Sequence, residues 1–233
     1  MQRTADISAK LVERFLAAVT PEYLETQRFL YYCSVGTLQD PANTFRSGPI
    51  KYAAHYKRHL DEKLPLLPFM SDLAGCKVYE LGVGAGHLLF LLREVMGCDV
   101  YGCDIHAETH ELYRPLREAL GVQDVTHDRE VRFGQPLGIE PGTEAVVCLG
   151  PVFMRRIDDA ASVRSAFAEA ADWGVEEHEW FVNQCDEGLT GARRMVIRFN
   201  RKGLMKNRPV LDYYRRIGTF PIRDDPHFCV IAL

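Results

Sequence analysis

Val78-Tyr79-Glu80-Leu81-Gly82-Val83-Gly84-Ala85-Gly86-His87-Leu88 is the stretch on which the fold turns. An apolar run ends in an acid, three glycines follow at alternate positions, and a helical pattern begins. Glycines allow a tight turn and let a ligand approach main-chain atoms without interference from a Cβ. A helix opened at that point is expected to aim its unpaired N–H groups toward the ligand. A second acid, Asp104, ends Val100-Tyr101-Gly102-Cys103, 18 residues beyond Gly86. At that spacing an acid in a strand–turn–helix–strand unit reaches ribose hydroxyls. A dinucleotide site requires Gly-x-Gly-x-x-Gly, whereas here the third glycine comes one residue early and His occupies position 87. An acid two residues before the first glycine would also repel a pyrophosphate. The pattern therefore suits a nucleoside ligand that carries a positive group and no phosphates.

Working outward, strand and helix signals alternate from residue 77 onward. Strands are expected at Val78–Leu81, Val100–Cys103, Val131–Phe133, Ala145–Leu149, Met195–Phe199 and Phe228–Ala232, with a further candidate near Phe220. Helices are expected at Leu88–Val95, Ala107–Leu120, Asp158–Trp173, Glu176–Glu187 and Val210–Ile217. Such alternation predicts an α/β fold, a Rossmann-like, mostly parallel sheet with helices on both faces. The short turn Arg223-Asp224-Asp225-Pro226 predicts a C-terminal hairpin that adds one antiparallel edge strand. Trp180-Phe181-Val182 competes as the fifth strand, but the helix end, Gly191 turn and β-branched run of 194–199 suit it better. The link from strand four to strand five is then about 45 residues, a helical insertion over about 152–190. Upstream, residues 1–75 read as a helical extension: Leu11, Phe15 and Ala18 recur at helical spacing, a second helix follows Pro21, and a third runs from Pro49 to Glu62 before Pro65 and Pro68 interrupt it.

The 233 residues suffice for one large α/β domain, or for a smaller one with an appendage. Hydrophobic residues at 47% and charged residues at 26% exclude disordered, collagenous and coiled-coil classes. Apolar runs stay far below the roughly 20 residues that span a bilayer, and MQRTADISAK has no apolar h-region, so a cytoplasmic protein is expected. Seven scattered cysteines without a CxxC pair argue against a zinc ribbon or redox pair and are read as reduced core residues. Net charge is −4, but unevenly spread: residues 76–191 carry nine basic and 21 acidic groups, and 192–233 carry ten and three.

The acid followed by Gly-x-Gly-x-Gly, together with Asp104, resembles the class I S-adenosylmethionine-dependent methyltransferases over about residues 75–233. The resemblance implies S-adenosylmethionine as cofactor. Glu80, Gly82, Gly84 and Gly86 would hold its methionine part, Asp104 the ribose hydroxyls, and Ile105 the adenine face. Gln135, in Gly134-Gln135-Pro136-Leu137, stands where the family often places a polar adenine contact, and an acid is commoner there. Leu149, which ends the fourth strand, is grouped with the cofactor contacts.

The acceptor is far less marked. The residues after strand four, Leu149-Gly150-Pro151-Val152-Phe153, are not the Asn/Asp-Pro-Pro-aromatic box of enzymes that methylate nucleobase amino groups. Asp158-Asp159 reads as a helix N-terminal cap, so no metal is expected. Cys148 lies inside a strand and reads as core. His178 shares a helical face with Phe181, Cys185 and Leu189, either as a general base on a lid helix or as a packed side chain. Asn183 and Gln184 on the same helix are candidate substrate contacts or plain surface amides. His87 opens the helix after the glycines, as a cofactor contact or merely a helix start. The N-terminal extension carries nine of the 22 Phe and Tyr residues and reads as an aromatic lid over a sulfonium. Tyr31 and Tyr32 are its catalytic candidates and Tyr52 a substrate contact, with Arg46 and Lys51 facing a carboxylate. The basic stretch Arg193 to Arg223 lacks the clustering of a nucleic-acid arm. The expected function is methyl transfer to N or O of a small molecule, with neither membrane nor nucleic acid as partner. Two other readings stay open: a methyltransferase-like cyclase or lyase releasing methylthioadenosine, and a cofactor-binding module without catalysis.

Overall fold

The computed structural model describes residues 62–104, 114, 117–150, 154–155, 171–191, 193–199 and 207–233. Strand β1 (Lys77–Leu81) leads through the glycine turn into helix α1 (His87–Met96), then β2 (Asp99–Asp104), β3 (Thr126–Asp128) and β4 (Ala145–Leu149). A two-stranded ribbon of β5 (Met154–Arg155) and β6 (Ala171–Asp172) precedes helix α2 (Val175–Gly188). Strand β7 (Arg194–Arg198), helix α3 (Arg208–Ile217) and strand β8 (Phe228–Ala232) follow. The main sheet has the order β3-β2-β1-β4-β7-β8. All neighbours are parallel except β8, which runs antiparallel to β7. The Rossmann-like sheet with an antiparallel edge is thus as the sequence predicts.

Side chains alternate across this sheet because successive residues of a strand point to opposite faces. Val78, Val100, Val147 and Val196 meet α1 and a 3-10 segment, Leu64–Leu73, on one face. Tyr79, Val146, Met195 and Ile197 meet α2 and α3 on the other. Strands buried on both faces explain the apolar runs that carry the sequence signal. The chain builds β1, β2 and β3 in one direction and then returns to place β4 on the other side of β1. This reversal opens a crevice at the carboxyl ends of β1 and β4, where ligands bind in open α/β sheets.

Several expectations are corrected. The third strand is Thr126–Asp128, not Val131–Phe133, which lies in the following loop. Three residues suffice, and Phe133 instead stacks edge-on against Trp180 with ring centroids 5.4 Å apart. The strand near Phe220 is reduced to one bridge, in which Thr219 and Val230 exchange both backbone hydrogen bonds on the outer edge of β8. Trp173 follows strand β6 rather than ending a helix. At Pro65 and Pro68 the expected interruption holds: the α-helical pattern described at 62–63 gives way to 3-10 turns from Leu64, kinked at Met70, and Leu66, Leu67, Met70 and Leu73 enter the core beside α1. Trp180-Phe181-Val182 is helical, in keeping with the choice of 194–199 as the fifth strand of the main sheet. Among the described residues six cysteines are free, five of them buried, and no helix is long and apolar enough to cross a membrane.

Candidate functional site

Glu80 sits one residue before the end of β1, between Gly102 of β2 and Val147 of β4. Alternation along β1 turns it toward the α1 face, where it is 1% exposed. Neither carboxylate oxygen closes a hydrogen bond, although the Leu89 amide in the first turn of α1 lies on that side and favours the ionised form. Burial pushes its pKa up to about 8, against the opposing pull of the Lys63 ammonium, while the charge of Asp104 adds to the rise. Lys63 shows the reciprocal effect: burial lowers its pKa and the negative charge of Glu80 raises it. A buried acid without a hydrogen-bond partner is costly. It is the arrangement a cationic ligand group would relieve.

The glycines have different reasons to be glycine. Gly82 and Gly84 hold left-handed backbone (φ 83° and 55°), and a Cβ at either would meet nothing within 4 Å. They line an open cradle beside Glu80. Gly86 (φ 86°) is the N-terminal cap of α1, and a Cβ there would come 2.5 Å from Val122 Cγ2. It is glycine for packing. Gly102, to which the sequence draws no attention, has the same standing: its Cβ would lie 2.5 Å from Val83 Cγ2 and 2.7 Å from the Glu80 carbonyl oxygen. That close approach lets the turn fold back over β2.

The amides of the turn itself, ahead of the helix, are already engaged. The N–H groups of Gly82 and Val83 both donate to the Cys103 carbonyl (2.9 and 3.1 Å), and that of Gly84 donates to Asp104 Oδ2 (2.5 Å). Three successive amides are spent on β2 instead of being aimed at a ligand. This tether suits a site that holds no phosphate, since phosphate cradles need such amides. Asp104, 13% exposed in its side chain, also accepts from Arg117 Nη2 (3.1 Å). Arg117 is completely buried, and its Nε donates to the Gly84 carbonyl (2.7 Å). Nothing in the local sequence marks this arginine, because it reaches the turn from 33 residues away.

His87 is buried at the start of α1. Leu149 is half-buried at the end of β4, opposite Arg198. Gln135 is exposed in a turn whose amide donates to the Arg132 carbonyl (3.1 Å). His178 is 4% exposed, its Nδ1 lies 3.1 Å from the Tyr214 hydroxyl, and Trp173, Phe199 and Tyr214 surround it edge-on. Burial lowers its pKa to about 4, so it is neutral at physiological pH. The surroundings are those of the packed side chain among the two readings. Asn183 is exposed, opposite the buried Phe181 and Cys185 face of α2, and Gln184 donates to Glu187 (2.7 Å). Cys148 is buried, and desolvation raises its thiol well above the ordinary range, which leaves no thiolate nucleophile. Tyr31, Tyr32, Tyr52, Arg46, Lys51 and Ile105 lie outside the described residues.

No family model matches the chain, and no curated protein matches it. Solved structures do. TrmN from Thermus thermophilus is similar at 16% identity over 61% of this chain and 39% of that one, with a TM-score of 0.42. A putative rRNA-methylase from Clostridium thermocellum is similar at 12% identity, over 72% and 97%, with a TM-score of 0.47. An S-adenosylmethionine-dependent methyltransferase from Thiobacillus denitrificans, solved with S-adenosylhomocysteine, shares 22% identity over 58% and 46%, with a TM-score of 0.38. These structural neighbours of the chain are methyltransferases. The chain spans about two fifths of TrmN and under half of the Thiobacillus protein.

Proposed function

We propose that this protein is an S-adenosylmethionine-dependent methyltransferase acting on N or O of a small-molecule acceptor. One observation carries the reading: Glu80, buried and without a hydrogen bond, stands beside a glycine cradle at the crevice between β1 and β4. A ligand with an ammonium and no phosphate matches that donor set. Glu80 would take the ammonium, Gly82 and Gly84 would let the chain of the amino acid pass close to the backbone, and Asp104 would accept from the ribose hydroxyls. Ile105, Gln135 and Leu149 would surround the base. The cofactor, when bound, supplies a methyl group already activated by its sulfonium. The protein then needs chiefly to orient the acceptor and exclude water, so the absence of a marked base beside the crevice, among the described residues, is no obstacle. Tyr31, Tyr32 and Tyr52, on the extension of residues 1–75, are the candidates for closing over that acceptor.

Part of the basic C-terminal stretch is paired within the protein. Arg193 pairs with Asp186, Arg194 with Asp72 (3.0 Å), Arg198 with Asp225 (2.8 Å) and Arg215 with Asp212 (3.3 Å). These four, of the ten basic residues in 192–233, are engaged with the protein's own acids, which accounts for part of the local basic excess.

The test is incubation with S-adenosylmethionine, with and without a panel of small amine and hydroxyl acceptors, followed by mass spectrometry. Acceptor-dependent S-adenosylhomocysteine is the expected product. Methylthioadenosine formed without any acceptor would replace methyl transfer by cyclisation or lysis, and bound but unchanged cofactor would leave a binding module. In calorimetry, Asp104→Ala should weaken S-adenosylhomocysteine binding by about 1–3 kcal/mol, the worth of charged hydrogen bonds; unaltered affinity would remove the ribose assignment.

A further inference from the structure

Arg117 is a fully buried arginine that touches the turn and the second acid at once. Its Nε donates to the Gly84 carbonyl (2.7 Å) and its Nη2 to Asp104 Oδ2 (3.1 Å). The same Oδ2 accepts the Gly84 amide (2.5 Å), so Gly84 is gripped at both its amide and its carbonyl. The arginine stem runs under the third glycine, where a Cβ on Gly86 would stand 3.5 Å from Arg117 Cγ. Arg117 thus reaches three elements: the cradle, the cap of α1 and the end of β2.

We propose that Arg117 is the positioning residue of the nucleoside site, fixing the rotation of the Asp104 carboxylate and the Gly84 peptide so that the ribose meets a preformed acceptor. The inference rests on the cofactor reading above and adds a residue to it. A carboxylate at the end of a strand is free to rotate about its last bond, and a group that must reorganise on binding loses affinity. Two donors on one oxygen remove that freedom. A buried guanidinium is costly to desolvate and is retained only with well-directed partners. Its planar fork serves two acceptors in fixed directions, which an ammonium on a shorter stem cannot reproduce.

The experiment measures calorimetric affinities of wild type, Arg117→Lys, Arg117→Met, Asp104→Asn and the Asp104→Asn/Arg117→Lys pair. The probes are S-adenosylhomocysteine, adenosine and 2′,3′-dideoxyadenosine, with thermal midpoints recorded in parallel. Wild type should prefer adenosine over its dideoxy analogue by roughly tenfold or more, the scale of a charged hydrogen bond. Both Arg117 variants should lose most of that preference, and the double variant should be no less selective than Asp104→Asn alone. If Arg117→Met does not fold, the ratio in Arg117→Lys decides. A lower midpoint with the ratio unchanged would mean that Arg117 only packs, and would overturn the proposal. Failure of wild type to bind S-adenosylhomocysteine would instead remove the cofactor reading, and the role of Arg117 with it.

Discussion

Replacing Glu80 by Gln removes the titratable acid at the centre of the candidate site while keeping its shape, and the structure sets the size of the effect. The folded carboxyl titrates at about 8 against an ordinary 4.5. At about 1.4 kcal/mol per unit of pKa, the difference of about 3.5 corresponds to an upper bound on the order of 5 kcal/mol. Because the folded value is raised, the folded state holds the proton more tightly than the unfolded chain. The stability this contributes is fully present below pH 4.5 and is lost as pH rises to about 8. Gln stays neutral throughout, so the variant escapes that loss. Allowing for local relaxation, the Glu80→Gln variant should gain about 2–4 kcal/mol over wild type between about pH 5 and about pH 8.5. The two tryptophans, Trp173 and Trp180, pack edge-on against each other beside the buried face of α2 and report unfolding in urea by fluorescence. Taking the difference between variant and wild type cancels the other carboxylates. The Lys63→Met background removes the neighbouring ammonium and should widen the gap. If the cofactor's ammonium seats against Glu80, its binding at about pH 7 should also release up to about one proton, read from calorimetry in buffers of different ionisation enthalpy. A stability gap between Glu80→Gln and wild type that is the same at both ends of that pH range would refute the buried-acid argument.

Gly86→Ala and Gly82→Ala should separate packing from binding. The first forces a Cβ to 2.5 Å from Val122 on left-handed backbone and should destabilise by about 2 kcal/mol or more in urea unfolding. The second, with open space around it, should lose only about 1 kcal/mol from its φ of 83° yet weaken S-adenosylhomocysteine binding by roughly tenfold or more by filling the cradle. For His178 the sign is opposite to that of Glu80: its folded pKa of about 4 is depressed, so its contribution is present above pH 6.5 and lost as pH falls toward 4. His178→Gln should flatten that part of the stability profile, measured by urea titration from about pH 7 to about pH 4, and an unchanged slope would place the ring in water.

How far the site is legible differs residue by residue. The strand, glycines and helix at 78–95 are readable because the signal is local: an apolar run, a change of period and residues that tolerate positive φ. Asp104 is readable because its distance from the turn is set by one helix and one strand. Gly102 carries no such signal, since the Cβ it excludes would collide with Val83 and Glu80 on the preceding strand and turn. Arg117 looks like any basic residue of an amphipathic helix. The third strand is misplaced by the sequence because Val131-Arg132-Phe133 has the better strand composition, whereas pairing with β2 selects Thr126-His127-Asp128. Composition is a weak guide where a strand lies at the edge and is only three residues long.

The sequence by itself determined the kind of fold and pointed to the candidate site, because hydrophobic period and glycine conformation act over a few residues. It also gave rise to the expectation of a ligand without phosphates, through an acid standing ahead of the first glycine. Tertiary structure alone decided that Glu80 is buried without a hydrogen bond, that the amides of the turn face β2, and that a distant arginine grips both Gly84 and Asp104. Burial, desolvation and long-range hydrogen bonds depend on which segments the folded chain brings side by side. No spacing along the sequence encodes that.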